Sequence, residues 1–201
     1  MISGVTANTP KNLQLDAGAF FKNYDVSGDT YDTAKATKLI GATAGGGSFA
    51  AVPTIRRIEI DGVKGDTKGF KTIDEWQVTM TANVKEMTAN FLKMALATGT
   101  STDVKSPSTA SANNYDKIVA GNEIADADYI TNITWIGRIS GNSKPMIIVL
   151  KNALSTNGVT LTTQDKSEGV VTVTFTGHYD PADLDTVPFE IYFPKADAAT
   201  T

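Results

Sequence analysis

The chain of 201 residues contains no cysteine and a single histidine, and these absences exclude several kinds of site. Without cysteine there is no disulfide scaffold, no thiolate zinc site and no cysteine nucleophile, so stability must come from a packed core or from assembly. His178 stands beside Tyr179 and Asp180 at the end of a predicted strand. We expect it to be a turn residue with satisfied hydrogen bonds rather than a catalytic base.

A strong charge of either sign and a long hydrophobic run are also missing. The 18 basic and 22 acidic residues leave a formal net charge of -4, which does not favour a surface that grips a phosphate backbone. The longest aliphatic run, residues 146–150, is far shorter than the roughly 20 residues that cross a bilayer, and the N-terminus resembles no signal peptide. We therefore expect a protein made in the cytoplasm that has no membrane partner.

Catalytic and ligand-binding motifs are absent from the sequence as well. The glycine run 41–47 continues into Ser48-Phe49 rather than the Lys-Ser or Lys-Thr of a P-loop, and Ser140 lies in no GxSxG elbow. The densest carboxylate pairs, Asp126 with Asp128 and Asp183 with Asp185, lack the EF-hand pattern. The sequence thus predicts no enzyme, no cofactor and no metal site.

Threonine and alternating patterns indicate β-structure. The chain has 28 threonines, and residues 75–85 alternate strictly between apolar and polar side chains. The apolar set, which we expect in the core, is Trp76, Val78, Met80, Ala82 and Val84. The polar set on the opposite face is Glu75, Gln77, Thr79, Thr81, Asn83 and Lys85.

Further strands are predicted at residues 55–60, 129–139, 145–150, 169–179 and 188–193. One helix is predicted over Thr88–Thr98, where apolar residues fall at helical spacing. Residues 25–38 are expected to form an exposed loop, and Thr100–Asn114, which are small, polar and include Pro107, a second loop. This order predicts a mainly β fold, a β-sandwich or partly open barrel with one flanking α-helix.

The length and composition fit one domain spanning residues 1–201. Residues 1–15 and 194–201 have little apolar content, so we expect flexible arms that become ordered against a neighbouring copy. Residues 61–72 form an inter-strand loop with regularly spaced glycines and lysines. Its candidate contact residues are Asp61, Gly62, Lys64, Gly65, Lys68, Gly69 and Phe70.

The segment Phe49–Pro53 leads into Ile55–Gly62 and a glycine-rich insertion, and a helix follows the long alternating strand. Closing strands are expected at Val173–Asp180 and Pro188–Ile191. This arrangement, over roughly residues 12–193, resembles the tail tube (major tail) proteins of long-tailed bacteriophages.

The resemblance implies a β-sandwich whose copies join, six to a ring, around a continuous inner barrel. Stacked rings would form the tube of the virion tail, which carries double-stranded DNA into the host without binding it specifically. Its partners would be other copies of itself and tail proteins such as the tape measure, terminator and distal tail proteins. In this reading the loop 61–72 contacts the adjacent ring and the polar set of residues 75–85 faces the lumen.

Two alternatives share parts of this pattern. One is a tube subunit of a contractile tail or related injection device, which would differ mainly in having a sheath partner. The other is a monomeric β-sandwich binding module, for which the sequence offers one aromatic cluster that could be exposed, Phe20, Phe21, Tyr24 and Tyr31.

Overall fold

The computed structural model describes residues 3–106 and 109–195, and for residues 105, 106, 109–114 and 164 it describes the backbone alone. Strands hold 47% of the residues and helices 11%, which confirms the prediction of a mainly β fold. The strands are β1 (Ala19–Lys22), β2 (Thr43–Arg57), β3 (Lys71–Val84), β4 (Gly99–Ser106), β5 (Thr109–Ala120), β6 (Ile130–Gly137), β7 (Met146–Ser155), β8 (Leu161–Gln164), β9 (Ser167–Gly177) and β10 (Phe189–Tyr192). The α-helices are α1 (Tyr31–Thr37) and α2 (Ala89–Ala95), and short 3₁₀ helices lie at Thr9–Lys11 and Asp126–Asp128.

Eight of the described strands form one antiparallel sheet. Its order is β1-β6-β7-β9-β3-β2, with β10 beside β7 and β8 beside β9, and it is not closed into a barrel. The sheet folds over its own core, because the ring of Phe189 on β10 lies 5.5 Å from that of Trp76 on β3 and 5.9 Å from that of Phe49 on β2. One face of β3 therefore packs inside this fold and the other faces outward.

The main core lies on the inner face of the sheet. Its largest fully buried side chains include Phe20, Met80, Phe91, Ile133, Leu150 and Phe175. The next residue after Phe20 points to the other side of β1, where Phe21 packs with Tyr24, Ala34 and Ile136 in a second cluster beneath α1. Adjacent phenylalanines are thus both buried because β1 is covered on both faces.

The flanking helix predicted at Thr88–Thr98 is present as the shorter α2. The Thr88 side chain caps it by accepting a hydrogen bond from the Phe91 backbone N–H, and the helix ends before Ala97, whose φ is 60°. The expectation of a single helix is wrong, since α1 lies within the predicted loop 25–38. Because α1 buries one residue, Ala34, its sequence has no apolar pattern at helical spacing that could have predicted it.

The predicted loop Thr100–Asn114 is also wrong, because most of it belongs to β4 and β5. These two strands form a separate two-stranded sheet, here called the ribbon, which packs against α2. The ribbon covers no core, so its sequence has no apolar alternation, and its threonines and serines resemble those of a loop. Pro107 lies outside the described residues.

Strands β2 and β3 form a long hairpin whose partners run from Arg57 and Lys71 at the turn to Thr43 and Val84 at the far end. The glycine run lies at a bulge in β2, where Gly45 and Gly46 have φ values of 75° and 68°. At Gly47 a Cβ atom would stand 2.1 Å from the Thr81 carbonyl oxygen. The prediction of positive φ and close backbone approach in this run is confirmed.

Each terminal segment has at least one residue that is hydrogen-bonded to the sheet region. The Ser140 backbone N–H donates to the Leu13 carbonyl at 2.8 Å, and Asn142 Nδ2 donates to the Lys195 carbonyl at 2.9 Å. The ordering of the arms against a neighbouring copy stays a prediction. No helix among residues 3–106 and 109–195 has the length and hydropathy needed to span a membrane.

Candidate functional surfaces

The outward face of β3 carries the polar set expected from the sequence. Val78, Met80, Ala82 and Val84 are fully buried on the inner side, and Trp76 is half-buried there. On the other side Glu75, Gln77 and Lys85 are exposed, while Thr79, Thr81 and Asn83 are half-buried. The predicted division of β3 into two faces is therefore confirmed.

Strand β9 extends this polar surface with threonines that the sequence reasoning did not assign to it. Thr172, Thr174 and Thr176 lie opposite Asn83, Thr81 and Thr79 in the antiparallel register. The hydroxyls of Thr81 and Thr174 are 3.0 Å apart, and the Thr172 hydroxyl donates to Asn83 Oδ1 at 2.8 Å. The alternation at residues 171–176 was the available signal, but only the strand pairing shows that the two sets are neighbours.

Strand β2 completes the surface on the other side of β3. Ser48, Ala50, Val52 and Thr54 are exposed opposite Thr81, Thr79, Gln77 and Glu75. We call the outward surface of β2, β3 and β9 formed by these residues the polar face. The Asn157 side chain donates a hydrogen bond to the Thr172 carbonyl and accepts one from the Thr174 backbone N–H, and both support its β9 edge.

Charges on the polar face stand at its two ends. At one end Glu75 accepts hydrogen bonds from Thr54 and Gln77. At the other end Lys85 forms an ion pair of 2.9 Å with Glu168, and the hydrogen bond from Lys85 lowers the pKa of Glu168. The members of the face between these ends are uncharged hydroxyl, amide and small apolar side chains.

The inter-strand loop predicted at residues 61–72 spans residues 58–70 instead, because β2 ends at Arg57 and β3 starts at Lys71. We call residues 58–70, which connect β2 and β3, the tip loop. Gly62, Gly65 and Gly69 have positive φ and open surroundings, as hinge-like turns in an exposed loop require. Lys71 pairs with Asp66 at 2.9 Å, and this hydrogen bond lowers the pKa of Asp66.

Other tip-loop residues divide between packing and exposure. Phe70 is half-buried, and its carbonyl accepts a hydrogen bond from the Ile58 backbone N–H at 2.9 Å. Asp61, Lys64 and Lys68 are exposed, and within the described part of the chain the two lysines form no ion pair. The loop therefore presents two free ammonium groups to solvent.

The base of the same hairpin exposes aliphatic side chains that the sequence reasoning did not anticipate. Ile55 and Ile73 are cross-strand neighbours just past a bulge, with exposed fractions of 55% and 51%. Val52, Ile58 and Ile60 are also exposed. Several exposed aliphatic side chains on one hairpin are typical of a contact surface.

His178 has a hydrogen-bond partner, as the sequence predicts. Its Nδ1 atom is 3.0 Å from the Asn152 carbonyl oxygen, and its ring packs edge-to-face on Tyr129 with 5.1 Å between centroids. It borders a groove of about 470 Å³ that is also lined by Lys151, Asp180, Asp183 and Glu190. Lys151 pairs with Glu190, and this hydrogen bond lowers the pKa of the carboxyl.

Acidic side chains in this region do not converge on one point. Asp183 accepts a hydrogen bond from the Thr186 hydroxyl, and Asp128 accepts one from the Ala125 backbone N–H. Across residues 3–106 and 109–195, no three histidine or carboxylate side chains are placed to hold a metal ion.

The aromatic cluster that favoured a binding module is not an exposed surface. Phe20, Phe21 and Tyr24 are at most 6% exposed, and of the four only Tyr31 reaches 44%. The expectation that these rings could form an exposed binding patch is wrong, because they are divided between the two cores.

No known protein-family model matches this chain, and no curated protein matches it significantly.

Proposed function

We propose that this protein is a structural virion subunit that polymerises as stacked hexameric rings into the tail tube of a long-tailed bacteriophage. In this role the chain has no catalytic residues and no cofactor. Its inner surface lets double-stranded DNA pass without binding it, and its outer surfaces bind other copies and the remaining tail proteins.

The polar face is the observation that favours this function most. DNA is retained on a protein when lysines or arginines neutralise its phosphates and release counterions. Between its charged ends the polar face holds hydroxyls, amides and the aliphatic side chains of Ala50 and Val52, so it offers no cations to the phosphates and only two aliphatic groups to the bases. Such a surface suits a conduit through which DNA must pass without sticking.

The open sheet supports assembly into rings. Strand β2 is 15 residues long and stands at the edge of the main sheet, paired only on its β3 side in the described part of the chain. Unpaired N–H and C=O groups on a long edge strand are a template for pairing with another chain. Pairing of β2 with a neighbouring copy would continue the polar face around a ring.

Electron microscopy of the purified full-length protein tests the proposal. We expect rings and hollow tubes with six-fold symmetry in projection. Persistent monomers across protein concentrations and salt conditions would favour the binding module instead. Tubes that recruit a sheath protein would indicate the contractile alternative.

A further inference from the structure

One asparagine in the sequence is directly followed by glycine, Asn157 before Gly158. In a flexible chain this pair is prone to deamidation, because glycine has no side chain to obstruct the attack of its backbone nitrogen on the asparagine amide. The pair lies in the connection between β7 and β8. Asn157 is exposed, and Gly158 has a φ of 63° and open surroundings, so water reaches the reacting groups.

The Asn157 side chain fills a gap in the main sheet. One edge of β9 pairs with β3, and along its other edge β8 pairs with residues 167–171 and β7 with residues 175–177. In the gap between them Asn157 Nδ2 donates to the Thr172 carbonyl at 2.9 Å, and Oδ1 accepts from the Thr174 backbone N–H at 2.8 Å. A neighbouring strand would bond these same backbone groups, so the amide replaces a missing strand residue.

The preceding residue fixes the connection to the same strand. The Thr156 backbone N–H donates to the Thr174 carbonyl at 3.0 Å, and the Thr156 and Thr176 hydroxyl oxygens are 2.9 Å apart. The Asn157 amide is therefore held against β9 from both its own side chain and the backbone before it.

We propose that Asn157 is a deamidation site that pairing with β9 keeps unreactive. In the reaction the Gly158 backbone nitrogen gives up its proton and attacks Cγ of Asn157, the Cγ–Nδ2 bond breaks, and Nδ2 leaves with a proton as ammonia. Water then opens the resulting cyclic imide to aspartate or isoaspartate. Ring closure moves Cγ toward the Gly158 nitrogen, so both hydrogen bonds to β9 must break first. The reaction thus proceeds from copies in which the connection has opened locally.

The product prevents the gap from closing as before. Aspartate at position 157 still accepts from the Thr174 N–H, but it has no proton to donate to the Thr172 carbonyl and places a negative charge beside that oxygen. Isoaspartate also adds a methylene group to the backbone. Deamidation therefore marks opened copies irreversibly. This chemistry belongs to the single chain and is independent of the proposed tube function.

Deamidation rates of the natural protein, folded and unfolded in guanidinium chloride, test the proposal. Both samples stand in the same mildly alkaline buffer, and mass spectrometry follows the tryptic peptide 152–166, which lies between Lys151 and Lys166. Asn157 should deamidate readily in the unfolded chain and at least about tenfold more slowly in the folded protein. Asn152 on the same peptide is followed by alanine and should stay intact in both samples. Equal rates at Asn157 would overturn the protection, and no reaction there in the unfolded chain would overturn the site.

A pair of matched variants tests whether opening of the connection controls the rate. Thr156→Ala removes the hydroxyl contact with Thr176 and should raise the rate in the folded protein about threefold, with no change in guanidinium chloride. Thr54→Ala removes a hydroxyl hydrogen bond to Glu75 on the other side of β3 and should leave both rates unchanged. A natural rate in folded Thr156→Ala would contradict control by this connection.

The consequence of the modification is tested with its aspartate product. Asn157→Asp should lower the melting temperature by several degrees relative to the natural protein, because the Thr172 carbonyl loses its donor. Asn122→Asp makes the same change at an exposed position after β5 and should melt like the natural protein. Equal melting of the two variants would show that the Asn157 amide does not support β9.

Discussion

Thr81 on β3 and Thr174 on β9 lie directly opposite each other, with their hydroxyl oxygens 3.0 Å apart. The pair joins the outward threonines of two strands into one surface, with Asn83 and Thr172 hydrogen-bonded beside them. These mutual hydrogen bonds link the side chains of the two strands into one network. The surface is polar and offers no charged group at its centre.

Added positive charge on the polar face should slow the passage of DNA. Gln77→Lys with Thr79→Lys adds two lysines to each copy, which makes twelve around a ring of six, and each cation attracts phosphate. We expect tubes of normal appearance but slower DNA ejection, measured as ejection kinetics of phage carrying the variant. Ala36→Lys with Thr37→Lys places the same charge on the exposed side of α1 and should leave ejection unchanged.

Milder changes on the same face supply a second control. Thr79→Ser and Asn83→Asp should leave tube assembly intact, as seen by microscopy, because neither changes the buried side of β3. Ejection at the natural rate with the two added lysines would show that this face does not line the channel.

Positions buried on the inner side of β3 should tolerate polar substitutions far less well than positions on its outward face. Val78→Asp places a carboxylate where the natural side chain has no exposure, and we expect it to lower the free energy of unfolding by at least about 4 kcal/mol. Gln77→Asp puts the same side chain on the exposed face of the neighbouring position and should cost much less. Denaturant titration of both variants measures the difference, and equal losses would contradict the assigned register.

The bulge in β2 should not tolerate a side chain at Gly47. Gly47→Ala brings a Cβ atom to 2.1 Å from the Thr81 carbonyl oxygen, so β2 and β3 must move apart at the bulge. We expect a loss of about 3 kcal/mol in the free energy of unfolding. Gly4→Ala, where the surroundings are open, should leave stability within about 0.5 kcal/mol of the natural value. A neutral Gly47→Ala would show that β2 approaches β3 less closely.

The tip loop should serve assembly rather than folding. Removal of residues 61–69 with a two-residue turn in their place should leave the melting temperature of the monomer nearly unchanged, because the loop glycines have open surroundings. Tube formation, followed by light scattering and microscopy, should become slower and the tubes shorter. Normal assembly rate and tube length would contradict a role in contacts between rings.

The terminal arms should gain protection only in the polymer. Residues 3–7 are exposed in one copy, and we expect their amides to exchange rapidly in the monomer and slowly in the tube. Residues 13 and 140 are already hydrogen-bonded to each other and should be protected in both states. Hydrogen exchange with mass spectrometry measures the protection of both segments in monomer and tube. Equal protection of residues 3–7 in the two states would contradict the ordering of this arm against a neighbouring copy.

Local periodicity by itself determined which elements have one buried face. Residues 75–85 alternate because β3 is buried on one side only, and that pattern assigns both its core and its outward polar set without any knowledge of its neighbours. The helix α2 was predictable for the same reason, since its apolar residues recur at helical spacing and Thr88 can cap it.

Only the tertiary structure decided the features that depend on distant pairing. The β9 threonines became part of the polar face through their register with β3, and Phe20, Phe21 and Tyr24 were buried by elements remote in the chain. The ribbon and α1 carry almost no apolar periodicity, because the ribbon covers no core and α1 buries a single residue. Sequence patterns report how much of an element is buried, whereas which elements meet is set by long-range packing.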